Sequence, residues 1–255
     1  MSEQLRADLQ TVKHARVFFG HQSVGNNIIS GLQQLARQAQ LDLNILDLDT
    51  DQIEGQPIAF VHGSIGENQK PMSNCRDFER IIDQQLSDKI DFALFKLCYI
   101  DINRNTDIDN LFRVYRSTMD RLIENHPHIQ FIHGTIPLRC SPGGLLIRLK
   151  EIVGYLLGKK NNSKLDNFQR NQYNRLLIET YGQRQLVDIA AAESTHSSGH
   201  RESFNMGGQI NFALLEDYSS DGGHLNEQGQ RRVAQSFIHD LAQIIRESVK
   251  HTTAE

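Results

Sequence analysis

The stretch Ser219-Ser220-Asp221-Gly222-Gly223-His224-Leu225-Asn226-Glu227-Gln228-Gly229 lies directly before the last helical pattern of the chain. It sets an aspartate and a histidine three positions apart on a turn that two glycines loosen. Apolar residues then recur at helical spacing, at Val233, Phe237, Leu241 and Ile244. Such a turn can aim a carboxylate and an imidazole at one point, so the group that this pair would activate has to come from elsewhere in the chain.

Short apolar segments alternate with helical patterns along the rest of the chain. The predicted strands are Arg16–Gly20, Leu43–Leu48, Asp91–Tyr99, His128–Pro137 and Gln185–Ile189. Predicted helices follow them, including Val24–Gln38, Cys75–Leu86, Asp107–Glu124 and Leu145–Leu157. This alternation is typical of a parallel sheet with helices on both faces. We therefore expect a three-layer α/β/α fold with a five-stranded parallel sheet, in a single domain over residues 1–255, with long polar loops at 49–74 and 192–220.

Composition excludes several classes of function. The 255 residues carry a net charge of −4 without a basic stripe, so no nucleic-acid partner is expected. No apolar run is long enough to span a membrane, and the charged N-terminus is not a secretory signal, which makes a cytoplasmic location the expectation. Three cysteines without close spacing suggest neither disulfides nor a zinc knuckle. His196 and His200 have metal-ligand spacing, but Ser-Ser-Gly between them is poor helix material, so no metal and no cofactor are expected.

Ser23 is the candidate partner of the Asp221–His224 turn. It ends the turn Gly20-His21-Gln22-Ser23, which links the first strand to the first long helix of the predicted sheet. Open α/β folds place their sites at this carboxyl edge of the sheet. A serine becomes a nucleophile when a base takes its proton, and an imidazole base needs a carboxylate to orient it. The alternatives are a Ser23 that caps the helix, an Asp221 that caps the last helix and a His224 at the surface.

The block Asp221–Gly229 resembles the last sequence block of the SGNH, or GDSL-like, hydrolase superfamily. The members are flavodoxin-like esterases, lipases and related transferases, and the resemblance implies that fold for most of this chain. It also implies a serine nucleophile after the first strand, hence Ser23, with His224 as base and Asp221 as its partner. The first block departs from the family pattern: Ser23 lies one residue further from its glycine than in Gly-Asp-Ser, and His21 stands in the aspartate region.

The resemblance implies further groups that would hold an oxyanion. A loop glycine of the second block matches Gly66, with Gly63 as its rival, and the backbone N–H of Ser23 would be another donor. The third block of the family carries an asparagine, which is missing from Cys98-Tyr99-Ile100-Asp101. Asn68 is the predicted substitute and His21 a second candidate. Asp101 could shape the pocket or cap the following helix, and the cap is favoured. His133, at the end of the fourth strand, could line the pocket.

These residues predict a serine esterase that forms an acyl-enzyme. The polar loops favour a short acyl group, such as acetyl, on a carbohydrate or other polar carrier. Two alternatives remain open from the sequence: an inactive or weakly active module of the same fold that binds a glycan or partner, and an acyltransferase. The sequence makes no prediction of oligomeric state.

Overall fold

The computed structural model describes residues 2–56, 58–141 and 163–252, and the predicted helix Leu145–Leu157 lies outside this part of the chain. The described residues form a parallel sheet between two layers of helices, which confirms the predicted α/β class. The strands are β1 Val17–His21, β2 Ile45–Asp47, β3 Phe60–Ser64, β4 Phe92–Phe95, β5 Gln130–Gly134 and β6 Leu186–Val187. The sheet order is β2-β3-β1-β4-β5-β6, with all neighbours parallel.

In the part of the chain that the structure describes, the sheet has six strands, so the prediction of five is wrong by one. The missed strand, β3, lies inside the stretch that was expected to be a loop. It pairs with β1 in register Phe18↔Val61 and Gly20↔Gly63. Only two of its residues, Phe60 and Val61, are strongly apolar before the strand ends in His-Gly-Ser. With the two residues before the strand, the apolar run is Ile58-Ala59-Phe60-Val61, which is too short to show a period, although all but the last residue of the strand are buried.

The helices cover both faces because side chains alternate across each strand. The helices are α1 Glu3–Lys13, α2 Val24–Ala39, α3 Pro71–Ile81, α4 Ile108–Asn125, α5 Ser163–Tyr181, α6 Ile189–Ser194 and α7 Glu227–Thr252. Phe19 of β1 joins the core under α1, α2 and α7, whereas its neighbour Phe18 joins the core under α3, α4 and α5. Two continuous apolar layers therefore hold the sheet, one on each side.

An antiparallel hairpin, β7 Ser203–Met206 and β8 Gln209–Phe212, lies within the second stretch predicted as a loop. Gly207 and Gly208 both have positive φ and form its two-residue turn. No described helix is long and apolar enough to cross a membrane.

The order of the strands decides where a site can form. From β1 the chain moves to one side of the sheet to form β2 and β3, and then crosses to the other side to form β4. A crevice therefore opens at the carboxyl end of β1, where the connections diverge. Across it, α7 approaches α2 closely: a Cβ on Gly31 would lie 2.4 Å from the carbonyl oxygen of Gln230. This contact brings the turn before α7 next to the turn before α2.

Candidate active site

Ser23 lies on the sharp turn between β1 and α2. Its backbone has φ 47° and ψ −99°, a strained conformation that a non-glycine residue rarely adopts. The side chain makes no capping hydrogen bond with the helix, which removes the capping alternative. The Ser23 hydroxyl is therefore not used by the helix that follows.

The structure brings Ser23, His224 and Asp221 into one line. The Oγ of Ser23 lies 2.6 Å from Nε2 of His224, and Nδ1 of His224 lies 2.6 Å from Oδ2 of Asp221. Because a carboxylate only accepts hydrogen bonds, the ring proton lies on Nδ1 and Nε2 is the acceptor for the serine hydroxyl. Partial burial acts to raise the pKa of Asp221, but hydrogen bonds from the His224 ring and from backbone N–H groups hold that pKa below its usual range. Asp221 is therefore a charged partner for the ring.

Hydrogen bonds fix the turn that carries Asp221 and His224. The Oδ1 of Asp221 accepts the backbone N–H groups of Gly223 and His224 at 2.8 and 2.7 Å. The Ser219 hydroxyl donates to the carbonyl oxygen of His224 at 2.6 Å. The cap of α7 is Asn226, whose Oδ1 accepts the N–H of Gly229, so the alternative of Asp221 as a helix cap is excluded. The turn is thus fixed by hydrogen bonds within itself as well as by its link to the helix, where Gln230 donates to the carbonyl oxygen of Leu225 at 3.0 Å.

One contact ties the two halves of the site together. The side chain of Asn27, on the first turn of α2, accepts the backbone N–H of Leu225 at 3.1 Å. The helix that follows the serine therefore holds the turn that presents the histidine.

The turn below Ser23 rests on a buried lysine. Lys96 follows β4, is 1% exposed and donates from Nζ to the carbonyl oxygen of Gln22 at 2.7 Å. Burial lowers the pKa of this amine. From the other side, the Gln22 amide donates to the carbonyl oxygen of Ile65 at 2.6 Å. The residue before the candidate nucleophile is thereby fixed to both neighbouring strands, a role for Lys96 that the sequence did not predict.

His21 is buried beneath the same turn. Its Nε2 lies 3.1 Å from Nδ1 of His62, and burial, with the nearby Lys96 charge, lowers the pKa of His21 to about 2. Burial also lowers the pKa of His62. The two rings are therefore a neutral, stacked pair, 5.2 Å between centroids. His21 supports the backbone of the turn, and its place in the strand gives it no contact with His224 among the described residues.

The structure corrects the expectation for Gly66. Its N–H donates to Oδ2 of Asp77, on α3, at 2.9 Å, so this donor is engaged by a carboxylate. Gly66 has φ 62°, and a Cβ there would lie 2.5 Å from the backbone nitrogen of Asn74. Backbone conformation and close packing therefore both require a glycine at this position. Gly63 lies within β3, with its Cβ position facing Leu48. Asn68 lies in an exposed turn and its role stays a prediction.

Asp101 and His133 also differ from expectation. Asp101 does not cap α4, because Asp107 does so through the N–H of Asn110 at 3.0 Å. Asp101 instead accepts the N–H groups of Cys98 and Gln69, both at 2.8 Å, and joins the end of β4 to the loop after β3. His133 is buried on the α4 side, where its Nδ1 lies 2.7 Å from the Tyr115 hydroxyl. Burial lowers its pKa to about 3, and it does not line the crevice.

Tyr99 is the site residue that sequence reasoning missed. Its hydroxyl lies 3.4 Å from Nε2 of His224, and its ring meets the imidazole edge-on, 5.6 Å between centroids. The sequence feature that could have indicated Tyr99 is the altered third block, Cys98–Asp101, which follows β4 at the carboxyl end of that strand.

Metal ligands are not assembled in the described part of the chain, where no three His, Cys, Asp or Glu side chains form a group that could hold a metal ion. His196 and His200 lie 6.1 Å apart between ring centroids, and His196 approaches Glu202 at 3.5 Å.

Comparison with known proteins identifies the fold. No protein-family model and no curated protein sequence matches the chain. Among solved structures, a protein from Streptococcus pneumoniae described provisionally as a platelet activating factor aligns at 15% identity, with a TM-score of 0.51, over 94% of this chain and 92% of its own. A protein from Desulfitobacterium hafniense, provisionally a lipolytic protein of the G-D-S-L family, aligns at 9% identity and a TM-score of 0.49, over 88% of this chain and 99% of its own.

A third structure, from Slackia heliotrinireducens and provisionally an SGNH hydrolase, aligns at 11% identity and a TM-score of 0.46, over 88% of this chain and 97% of its own. At such identities a likeness shows the fold alone. The flavodoxin-like α/β/α fold predicted from the sequence is confirmed. These likenesses concern the fold alone, and the resemblance to the SGNH superfamily, as a divergent member, stays a prediction from the sequence.

Proposed function

We propose that the protein is a serine esterase of the SGNH type. The observation that carries the proposal is the unbroken line from Ser23 Oγ through the His224 ring to the Asp221 carboxylate, with 2.6 Å at each step. Both distances lie within the hydrogen-bond reach that general-base activation of a serine requires.

In the proposed reaction, Ser23 Oγ forms a bond to the ester carbonyl carbon while its proton passes to Nε2 of His224. The π electrons of the carbonyl move to its oxygen, which becomes the oxyanion. When the C=O bond re-forms, the bond to the alcohol oxygen breaks, and His224 returns the proton to that oxygen. Water then attacks the acyl-enzyme by the same route. Asp221 keeps the ring in the required tautomer and stabilises its positive charge.

The acyl group and its carrier are also part of the proposal. Polar side chains lie on the described loops at this edge of the sheet: Asn68 and Gln69 are exposed in the loop after β3, and Arg139 donates from Nε to the carbonyl oxygen of Gly222 at 3.3 Å. This rim supports a short acyl group on a polar carrier, such as a carbohydrate, better than a long apolar chain.

The test is turnover of 4-nitrophenyl acetate together with labelling by a fluorophosphonate probe. Wild type should turn over the ester and take the label, whereas Ser23→Ala should lose both. Ser64→Ala is the matched control, because Ser64 is exposed at the end of the neighbouring strand, opposite His21 in the sheet. The control should behave as wild type. Labelling that persists in Ser23→Ala, or a folded wild type that neither reacts nor turns over, would overturn the proposal.

A further inference from the structure

A serine esterase needs more than one hydrogen-bond donor for the oxyanion. The backbone N–H of Ser23 is one candidate. The Gly66 N–H donates to Asp77, and the third block has no asparagine. The following inference rests on the proposed function and concerns the donor that stands in that place.

The Tyr99 hydroxyl lies beside the reacting groups without a strong partner. Both hydroxyls, that of Ser23 at 2.6 Å and that of Tyr99 at 3.4 Å, approach the same nitrogen, Nε2 of His224. A neutral imidazole nitrogen has one lone pair in the plane of the ring, and the closer serine hydroxyl uses it. The O–H of Tyr99 is therefore left to donate to an atom that arrives next to Ser23.

The backbone around Tyr99 is held rigidly. Arg170 is 3% exposed and donates from Nε to the carbonyl oxygen of Tyr99 at 2.8 Å. On the other side, Asp101 accepts the N–H of Cys98 and so closes the single helical turn that contains Tyr99. The phenol is thus presented by a turn with buried anchors at both ends. A donor that is already in place costs little reorganisation when charge develops on the substrate.

Space for the hydroxyl is provided by Gly223, in the turn that carries His224. A Cβ at Gly223 would lie 2.9 Å from the Tyr99 hydroxyl oxygen. The glycine therefore lets the phenol reach the imidazole.

Charge around the phenol favours donation to an anion. The guanidinium groups of Arg139 and Arg170 lie 5.5 and 5.9 Å from the centroid of the Tyr99 ring. Burial raises the pKa of Tyr99, and the arginines only partly offset it, so the O–H keeps its proton at neutral pH. The Asp221 carboxylate also acts on the phenol and helps to raise its pKa, so the O–H stays protonated, and a protonated phenol is a suitable donor to a developing negative oxygen.

We propose that Tyr99 is a catalytic residue whose O–H donates a hydrogen bond to the oxyanion, in place of the asparagine of the third block. It keeps its proton throughout. As the Ser23 Oγ–carbon bond forms and the carbonyl π pair moves to oxygen, that oxygen accepts from Tyr99 and from the backbone N–H of Ser23. When the alcohol leaves, the hydrogen bond weakens again.

Tyr99→Phe removes the hydroxyl alone and should lower kcat for 4-nitrophenyl acetate by about 10²- to 10³-fold, with KM little changed. The matched control is Tyr218→Phe, which removes a hydroxyl that donates to the carbonyl oxygen of Thr195 at 3.2 Å, away from the triad. The control should keep the wild-type kcat. Thermal unfolding of both variants should show similar midpoints, because neither change alters packing volume by more than one oxygen.

A second substrate separates a donor to the oxyanion from a merely structural tyrosine. In the thionoester analogue, sulfur replaces the carbonyl oxygen and is a weak acceptor. The ratio of wild-type to Tyr99→Phe rates should therefore be large for the ester and only a few-fold for the thionoester. An unchanged kcat, or an equal loss on both substrates, would refute the role of Tyr99 while leaving the triad intact. Failure of the esterase itself would be seen separately, in wild type and in Ser23→Ala.

Discussion

Gly25 packs against the imidazole ring of His21 across the turn that carries Ser23. A Cβ at Gly25 would lie 2.1 Å from Cγ of His21, a distance at which the ring has to move. The ring has little room to do so, because it is 1% exposed, stacks on His62 and packs at a tilt against Phe19, with 4.9 Å between the His21 and Phe19 ring centroids. The shape of the turn therefore depends on a glycine two residues after the serine.

Gly25→Ala should destabilise the protein and lower its activity together. Overpacking of this kind costs about 1–3 kcal/mol, and displacement of His21 would also shift Ser23 from Nε2 of His224. Urea unfolding and ester turnover measure the two effects. Asn26→Ala, at the exposed next position of the same helix, is the control and should change stability by less than about 0.5 kcal/mol. A Gly25→Ala variant with wild-type stability and kcat would contradict this account.

Asp221→Asn should reverse the tautomer of His224. In the native turn Oδ1 accepts two backbone N–H groups, so the amide oxygen of an asparagine would take that position. Its NH₂ group would then face Nδ1 and force the ring proton onto Nε2, which could no longer accept from Ser23. We expect kcat to fall by roughly 10³- to 10⁴-fold with the fold retained.

The control for this prediction is Asp217→Asn, an exposed carboxylate four residues earlier in the chain. Fluorophosphonate labelling rates of both variants, measured beside their circular dichroism, give the comparison. If Asp221→Asn labelled within a few-fold of wild type, the proposed role of Asp221 would have to be abandoned.

Local sequence patterns predicted most of the fold, and they also indicated that Asp221 and His224 lie together in the turn before α7. Five of the six strands have apolar runs that periodicity detects, and Asp221 and His224 lie within one short turn. Ser23 could be predicted because parallel strands end at the same edge of a sheet. The missing strand, β3, was harder to predict, because its short apolar run Ile58–Val61 shows no period and is followed by the polar and small residues His62, Gly63 and Ser64.

The groups around the oxyanion depend on contacts between distant parts of the chain. Gly66 could be identified in the sequence. The direction of its N–H could not, because that direction depends on a φ of 62° and on the contact with Asp77 of the next helix. Tyr99 meets His224 across 125 positions of sequence. No local pattern indicates either contact, so the sequence predicted the approach of Ser23, His224 and Asp221 better than the contacts around them.

Glu193 should make stability depend on pH. Its side chain is fully buried, with one oxygen accepting the N–H of Leu138. Burial raises its pKa to about 8, against the opposing effects of that hydrogen bond and of Lys96 and Arg170. The carboxyl is thus protonated at pH 7 in the native state, whereas in the unfolded chain it ionises near its ordinary value of 4.5.

Between these two pKa values the native state holds a proton that the unfolded state has released. The contribution of Glu193 to stability is therefore fully present below about pH 4.5 and is lost as pH rises through about 8. Glu193→Gln cannot ionise, so its free energy of unfolding relative to wild type should rise from pH 5 to pH 9, as urea denaturation at several pH values would show. Glu247→Gln, at an exposed position of α7, should give a curve parallel to wild type. A parallel curve for Glu193→Gln as well would show that the buried carboxyl is already ionised at neutral pH.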